Sequence, residues 1–158
     1  MNKTLPIPEV EHLYFIEVEV EQMLSVGRFS DGSHRIIPIT GGRFDGEKMK
    51  GTVRPVGADW NVGRGMLTQY SHVTTRYILV TDDGAVISLF TDGRSEFGID
   101  AMIGIMSRKP DPEKVKFRQH LFFKTGDERY RWLNDKVCFA VVCMNKDFKL
   151  CYDAYMVK

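Results

Sequence analysis

Asp59-Trp60 closes a run, GTVRPVGADW, that breaks at Pro55 and Gly57. Core packing alone gives no reason for an acid beside a tryptophan at a glycine-broken strand end. A carboxylate walled by an indole loses water, its pKa rises, and it becomes suited to general acid or base work near neutral pH. The competing reading is a turn aspartate that accepts backbone N–H groups around Gly57 and Gly63. Arg54 precedes Asp59 by an odd number of residues, so on an unbroken strand the two point to opposite faces. A one-residue bulge at 55–57 would bring them to one side. There an Arg–Asp pair could fix an acid or bind an anionic ligand. Taken by itself, Arg54 reads as a solvated surface arginine.

A second constellation lies on the pattern Leu67–Thr81. Tyr70, His72, Thr74 and Arg76 alternate on one side, opposite Ser71, Val73, Thr75, Tyr77 and Leu79. A polar row of this kind can line a barrel lumen, where His72 could shuttle protons. It can equally face water, as one side of an antiparallel sheet commonly does.

Other chemistries find no support. His12, His34, His72 and His120 show no metal-ligand spacing, so no metal site is expected. Asp82-Asp83-Gly84 has the chemistry of a hairpin turn rather than of a metal-binding acid pair. Gly41-Gly42 lacks the Lys-Ser/Thr of a phosphate loop and suits close approach of another backbone or a ligand. Cys138, Cys143 and Cys151 form neither a disulfide framework nor a zinc pattern and read as small buried hydrophobes. That usage fits a reducing, cytoplasmic setting. Formal net charge is +1, with Lys+Arg 22 against Asp+Glu 21, so nothing marks a nucleic-acid surface. No stretch has transmembrane length and no signal-peptide pattern opens the chain, so no membrane partner is expected.

The elements that must position these residues are strands. After an irregular lead-in over 1–10, Tyr14, Ile16, Val18 and Val20 alternate with Glu17, Glu19 and Glu21, the mark of a half-buried strand. Phe29–Ser33 and Phe44–Gly46 read as turns, with a strand at Arg35–Thr40 that Pro38 pushes toward an edge or bulge. Strands are expected at Met49–Val56, Leu67–Thr81, Ala85–Thr91, Phe117–Thr125, Val137–Met144 and Leu150–Val157. Ile99–Ile105 reads as a strand or a buried loop. A short helix is expected near 128–134, packing Tyr130, Trp132 and Leu133 on the barrel. About eight to ten short strands at regular spacing predict one all-β domain over 1–158, an antiparallel barrel or sandwich.

Arg35–Gly42 (RIIPITGG), Phe44, Gly46, Gly51, Gly57–Trp60 (GADW), Arg76-Tyr77, Thr81–Ala85 (TDDGA), Gly93 and Trp132–Asn134 (WLN) occur in an order that resembles an uncharacterised family of small bacterial and fungal proteins. Phe117-Arg118, Phe123, Thr125-Gly126 and Tyr130 extend the resemblance over nearly the whole chain. It implies a compact antiparallel β-barrel, lipocalin-like in shape, and brings no settled activity. It also adds weight to Arg76 and Tyr77 as site residues. Thr74-Thr75 departs from the pattern, where an acidic residue followed by a small one is common.

The expectation is a small-molecule-binding barrel doing cofactor-independent acid/base chemistry of isomerase, cyclase or lyase type. Asp59 would act as acid or base and Trp60 as apolar wall. Arg54 or Arg76 would hold an anionic group, with His72 and Tyr77 as further ligand contacts. The alternatives are a non-catalytic barrel for an apolar or aromatic ligand, and a structural homo-oligomer.

Overall fold

A computed structural model describes residues 4–65 and 69–158. Nine strands follow in order: β1 (Val10–Val20), β2 (Leu24–Phe29), β3 (Gly32–Asp45), β4 (Gly51–Arg64), β5 (Tyr70–Thr81), β6 (Val86–Phe97), β7 (Val115–Lys124), β8 (Cys138–Met144) and β9 (Leu150–Val157). One helix, α1 (Ile99–Met106), joins β6 to β7, and a 3₁₀ turn spans Arg131–Asp135. All pairings are antiparallel, in the order β1-β9-β8-β7-β6-β5-β4-β3-β2, and β1 also pairs with β3. That last ladder closes eight strands into a barrel and leaves β2 outside. Closure removes the unpaired edges that an open sheet of this length would expose.

The seam explains Pro38. One edge of β3 pairs with β2 through Gly32–Ile36 and with β1 through Ile39–Asp45. Pro38 falls where β3 exchanges one neighbour for the other, so its missing N–H breaks no ladder bond there. Its carbonyl still accepts from the Glu21 N–H at 2.9 Å. A few residues on, a side chain at Gly42 would put its Cβ 2.2 Å from the Glu17 carbonyl oxygen, so the β1–β3 seam closes only over a glycine.

Inward positions repeat every second residue, as the pleat requires. One end of the barrel is solid: Leu13, Phe44, Leu79, Ile87, Leu89 and Phe123 are almost wholly buried. The 3₁₀ turn plugs this end with Leu133, and Trp132 packs against the same core. Two ties hold the plug. The Tyr130 hydroxyl donates to Asp83 in the β5–β6 turn at 3.0 Å, and the Asn134 amide bonds both the N–H and the carbonyl of Thr125 at 2.9 Å.

Several local expectations need correcting. Gly41-Gly42 and Pro55–Gly57 do not end strands; β3 and β4 run straight through them, 14 residues each. The strand expected to stop at Thr91 likewise continues through Asp92-Gly93 to Phe97 as β6. Phe44 belongs to β3 rather than to a turn. The segment read as a strand or buried loop, Ile99–Ile105, falls within α1, which is apolar on most sides, so no helical stripe distinguished it. The short helix expected near 128–134 is the 3₁₀ turn. β2 was not foreseen, because its side chains are nearly all exposed and carry no alternation. The start of the expected strand at Leu67 lies outside the described residues.

Candidate functional site

The other end of the barrel is hollow. Its rim is built from the last residues of β1, β4, β6 and β8 and the first of β3, β5, β7 and β9. The chamber inside holds about 250 Å³. One wall is aliphatic and aromatic, with Val18, Val20, Phe97, Phe117 and Leu150. The facing wall, from β3, β4 and β5, carries Arg35, Asp59, Asn61, Ser71 and Thr75. A mostly apolar chamber with a few polar groups is the usual form of a small-molecule site.

The polar wall is one connected network. The Arg35 guanidinium donates to Asn61 Oδ1 at 2.5 Å and to Ser71 Oγ at 3.4 Å. Asn61 Nδ2 donates to Asp59 Oδ2 at 3.3 Å, and the Thr74 backbone N–H donates to Asp59 Oδ1 at 3.2 Å. Burial pushes the Asp59 carboxyl up to about 6, against the opposing pull of those two donors and the Arg35 charge. Burial also lowers the Arg35 pKa, while the Asp59 charge raises it. A carboxyl that titrates near pH 6 in a chamber of this kind can both take and return a proton at neutral pH.

The floor is a chain of hydroxyls. Tyr152 OH lies between Tyr77 OH, in direct hydrogen-bond contact, and Tyr14 OH at 3.5 Å. Tyr77 and Tyr152 line the chamber, and Tyr14 lies fully buried beneath them. Burial raises all three well above the usual tyrosine value, so they remain protonated donors at neutral pH. Removing the central hydroxyl strands its neighbours. Tyr152→Phe should therefore cost about 1–3 kcal/mol, and Tyr77→Phe clearly less, because Tyr14 keeps its partner. Urea denaturation of the two variants measures the difference.

Of the residues expected at the site, Asp59 and Tyr77 face the chamber. Trp60 does not wall Asp59: it follows Asp59 on a continuous strand, so it takes the outer face and is 48% exposed. Arg54 is exposed as well. A bulge does lie where expected, between the pairs Val53↔Leu79 and Gly57↔Tyr77, but it takes four steps along β4 against two along β5. An excess of two residues preserves parity, so Val53 and Asp59 both point inward and Arg54 points out. On β5 the lumen face is Ser71, Val73, Thr75 and Tyr77 rather than the polar row. His72 sits outside, 3.3 Å from Asp92, and Arg76 lies over the Phe90 ring at 5.2 Å.

Arg35 and Asn61 were missed as site residues. Arg35 opens the RIIPITGG run, and its even spacing from Ile37 and Ile39 puts it on their inward face, a signal the sequence did contain. Asn61 stands two residues beyond Asp59 and shares its face for the same reason. Among the described residues no three of His, Cys, Asp and Glu gather as a metal site. All three cysteines are free.

Residues 8–157 match the family described as "Protein of unknown function (DUF3237)". A UPF0311 protein of Rhodopseudomonas palustris (strain TIE-1) is 32% identical over 129 residues, covering 81% of this chain and 83% of that protein. A crystal structure of a β-barrel-like protein from Acinetobacter baumannii AYE superposes with a TM-score of 0.82 at 31% identity, over 99% of this chain and all of the other. An enzyme from Penicillium herquei, 15% identical, superposes over the full length of both chains with a TM-score of 0.71, a likeness of fold.

Proposed function

Given that this chain belongs to DUF3237, a family of proteins of unknown function, we propose that its barrel binds a small molecule and catalyses a proton transfer on it without a cofactor. The observation that carries this reading is Asp59, a carboxyl with its pKa raised to about 6, facing a chamber that is otherwise mostly apolar. In its ionised form Asp59 takes a proton from an acidified C–H or O–H of the ligand, then returns it to a second atom. Isomerisation, cyclisation, hydration and lyase reactions share this exchange. Arg35, held in place by Asn61 and Ser71, supplies the positive charge that stabilises the anion formed in between. The apolar wall excludes water and strengthens both effects. That a barrel of this fold from Penicillium herquei is described as an enzyme is consistent with such chemistry.

The test begins with native mass spectrometry of the protein purified under non-denaturing conditions, which identifies a retained small molecule. The intact protein should convert that molecule, and Asp59→Asn should bind it without converting it. Conversion at the full rate by Asp59→Asn contradicts the catalytic reading. Binding without conversion by either protein leaves a carrier barrel.

Arg35→Met supplies a second check. The Arg35 charge holds the Asp59 pKa down. Its removal should move the acidic limb of the pH–rate profile upward from about 6 and lower the maximal rate. An unmoved limb would show that the two groups are not coupled.

A further inference from the structure

Asp59 occupies one side of the chamber, and an unanswered polar group occupies another. Ser95, on β6, is 5% exposed and lines the cavity, yet among the described residues its hydroxyl has no hydrogen-bond partner. A buried, unsatisfied hydroxyl costs stability, so its presence calls for an explanation. Gln119, on β7, also lines the chamber at 5% exposure. Ser95 pairs with Phe117 across the β6–β7 ladder, which makes Gln119 its diagonal neighbour on the same inward face. Gly93 stands opposite Gln119, where a Cβ would come within 2.8 Å of the Gln119 Cβ. The glycine leaves room for the Gln119 side chain. Among the described residues that line the chamber the one cation is Arg35, on β3, which reaches Ser71 opposite Ser95. Ser95 and Gln119 themselves offer uncharged groups and suit a neutral function.

We propose that Ser95 and Gln119 form a second recognition point that binds a neutral oxygen function of the ligand, a carbonyl, carboxamide or hydroxyl, while Asp59 engages another function. This rests on the reading of the chamber as a ligand site. The two stations lie on strands two and three places apart from β4, roughly 10–14 Å along the wall at ordinary strand spacing. The ligand is therefore a molecule with oxygen or nitrogen functions at both ends of an apolar, ring-sized body. Phe97 and Phe117 flank that body. The hydroxyl and amide together supply both donors and acceptors, and a primary carboxamide can engage both kinds.

The test uses two isosteric probes, 4-hydroxybenzamide and 4-isopropylphenol, titrated by calorimetry against the intact protein and two conservative variants, Ser95→Ala and Gln119→Met. The affinity ratio of amide to isopropyl compound should fall about tenfold in each variant, the scale of one lost hydrogen bond in a dry site. Ser95→Ala should also raise the melting temperature of the ligand-free protein by about 2 °C, because it removes an unsatisfied hydroxyl. A hydroxyl with a structural role would lower it. An unchanged ratio in both variants, a fall in melting temperature, or no saturable binding of the amide at millimolar concentration overturns the proposal. Asp59→Asn separates the two readings: if the amide preference persists there but binding shows no pH dependence in either protein, the station stands and the acid–base role of Asp59 falls.

Discussion

Asp59→Asn should lower turnover of the native ligand by at least about a hundredfold, the usual contribution of a positioned acid or base. The same substitution should make the protein more stable than the parent above pH 6. The sign follows from linkage. The Asp59 pKa is about 6 in the folded chain against 3.8 for the ordinary group. A raised carboxyl contributes its full stability below the unfolded value and loses it as pH climbs through the folded one. Ionising Asp59 inside the barrel therefore costs on the order of 2–3 kcal/mol by neutral pH. Asparagine cannot ionise, so this loss disappears. It keeps an acceptor for the Thr74 N–H but puts an amide nitrogen near Asn61 Nδ2, a penalty independent of pH. Stability curves of both proteins at pH 4.5 and pH 8 isolate the effect, since every other titrating group cancels in the difference. The gap should move in favour of the variant by about 2 kcal/mol between the two pH values. A gap that stays constant would mean that Asp59 titrates as an ordinary solvated carboxyl.

Gly57→Ala should abolish the stable barrel. Gly57 has φ +115°, and a Cβ there would stand 1.9 Å from the Arg76 carbonyl oxygen. Two costs coincide: backbone strain in a region that L residues avoid, and a collision with main chain that cannot swing aside. The bulge between Val53 and Gly57 exists to admit this close contact with β5. Loss of more than about 4 kcal/mol is expected, enough to put most of the stability of a domain this size at risk. The measurement is the yield of soluble protein and its urea midpoint. A midpoint within about 1 kcal/mol of the parent would show that β4 can relax away from β5, and with it the geometry that aims Asp59 inward.

The barrel was legible because its determinants are local. Alternation along Tyr14–Val20, the Asp82–Gly84 hairpin turn and the evenly spaced strands each act within a few residues, and together they left little room for another fold. The resemblance added the lipocalin-like shape. Its fragments turn out to serve the frame as much as the site. Gly42 and Gly57 permit close contacts at neighbouring strands, Asp83 ties a turn to the plug, and Asn134 staples Thr125. Arg35 and Asp59 are the two members that share the polar wall, linked through Asn61.

What stayed hidden depended on parity. Alternation says which residues share a face but not which face is the lumen. On β5 the polar row looked like a lining, and the chamber instead takes the mixed row of Ser71, Val73, Thr75 and Tyr77. A bulge at 55–57 was readable from Pro55 and Gly57, but its size was not. One extra residue would have turned Arg54 inward, whereas two keep it outside and leave Arg35, from the preceding strand, as the cation beside Asp59. Such a partner is set by the β3–β4 register, Arg35 opposite Asn61 and Ile37 opposite Asp59, which no short window of sequence contains.

The most direct measurement is a carbon-13 NMR titration of the side-chain carboxyls, with the Asp59 signal identified by its absence in Asp59→Asn. A midpoint near 6, rising further in Arg35→Met, is the expected result. A midpoint near 4 that ignores Arg35 would contradict the account, since the carboxyl would then be solvated and independent of the network that defines the chamber.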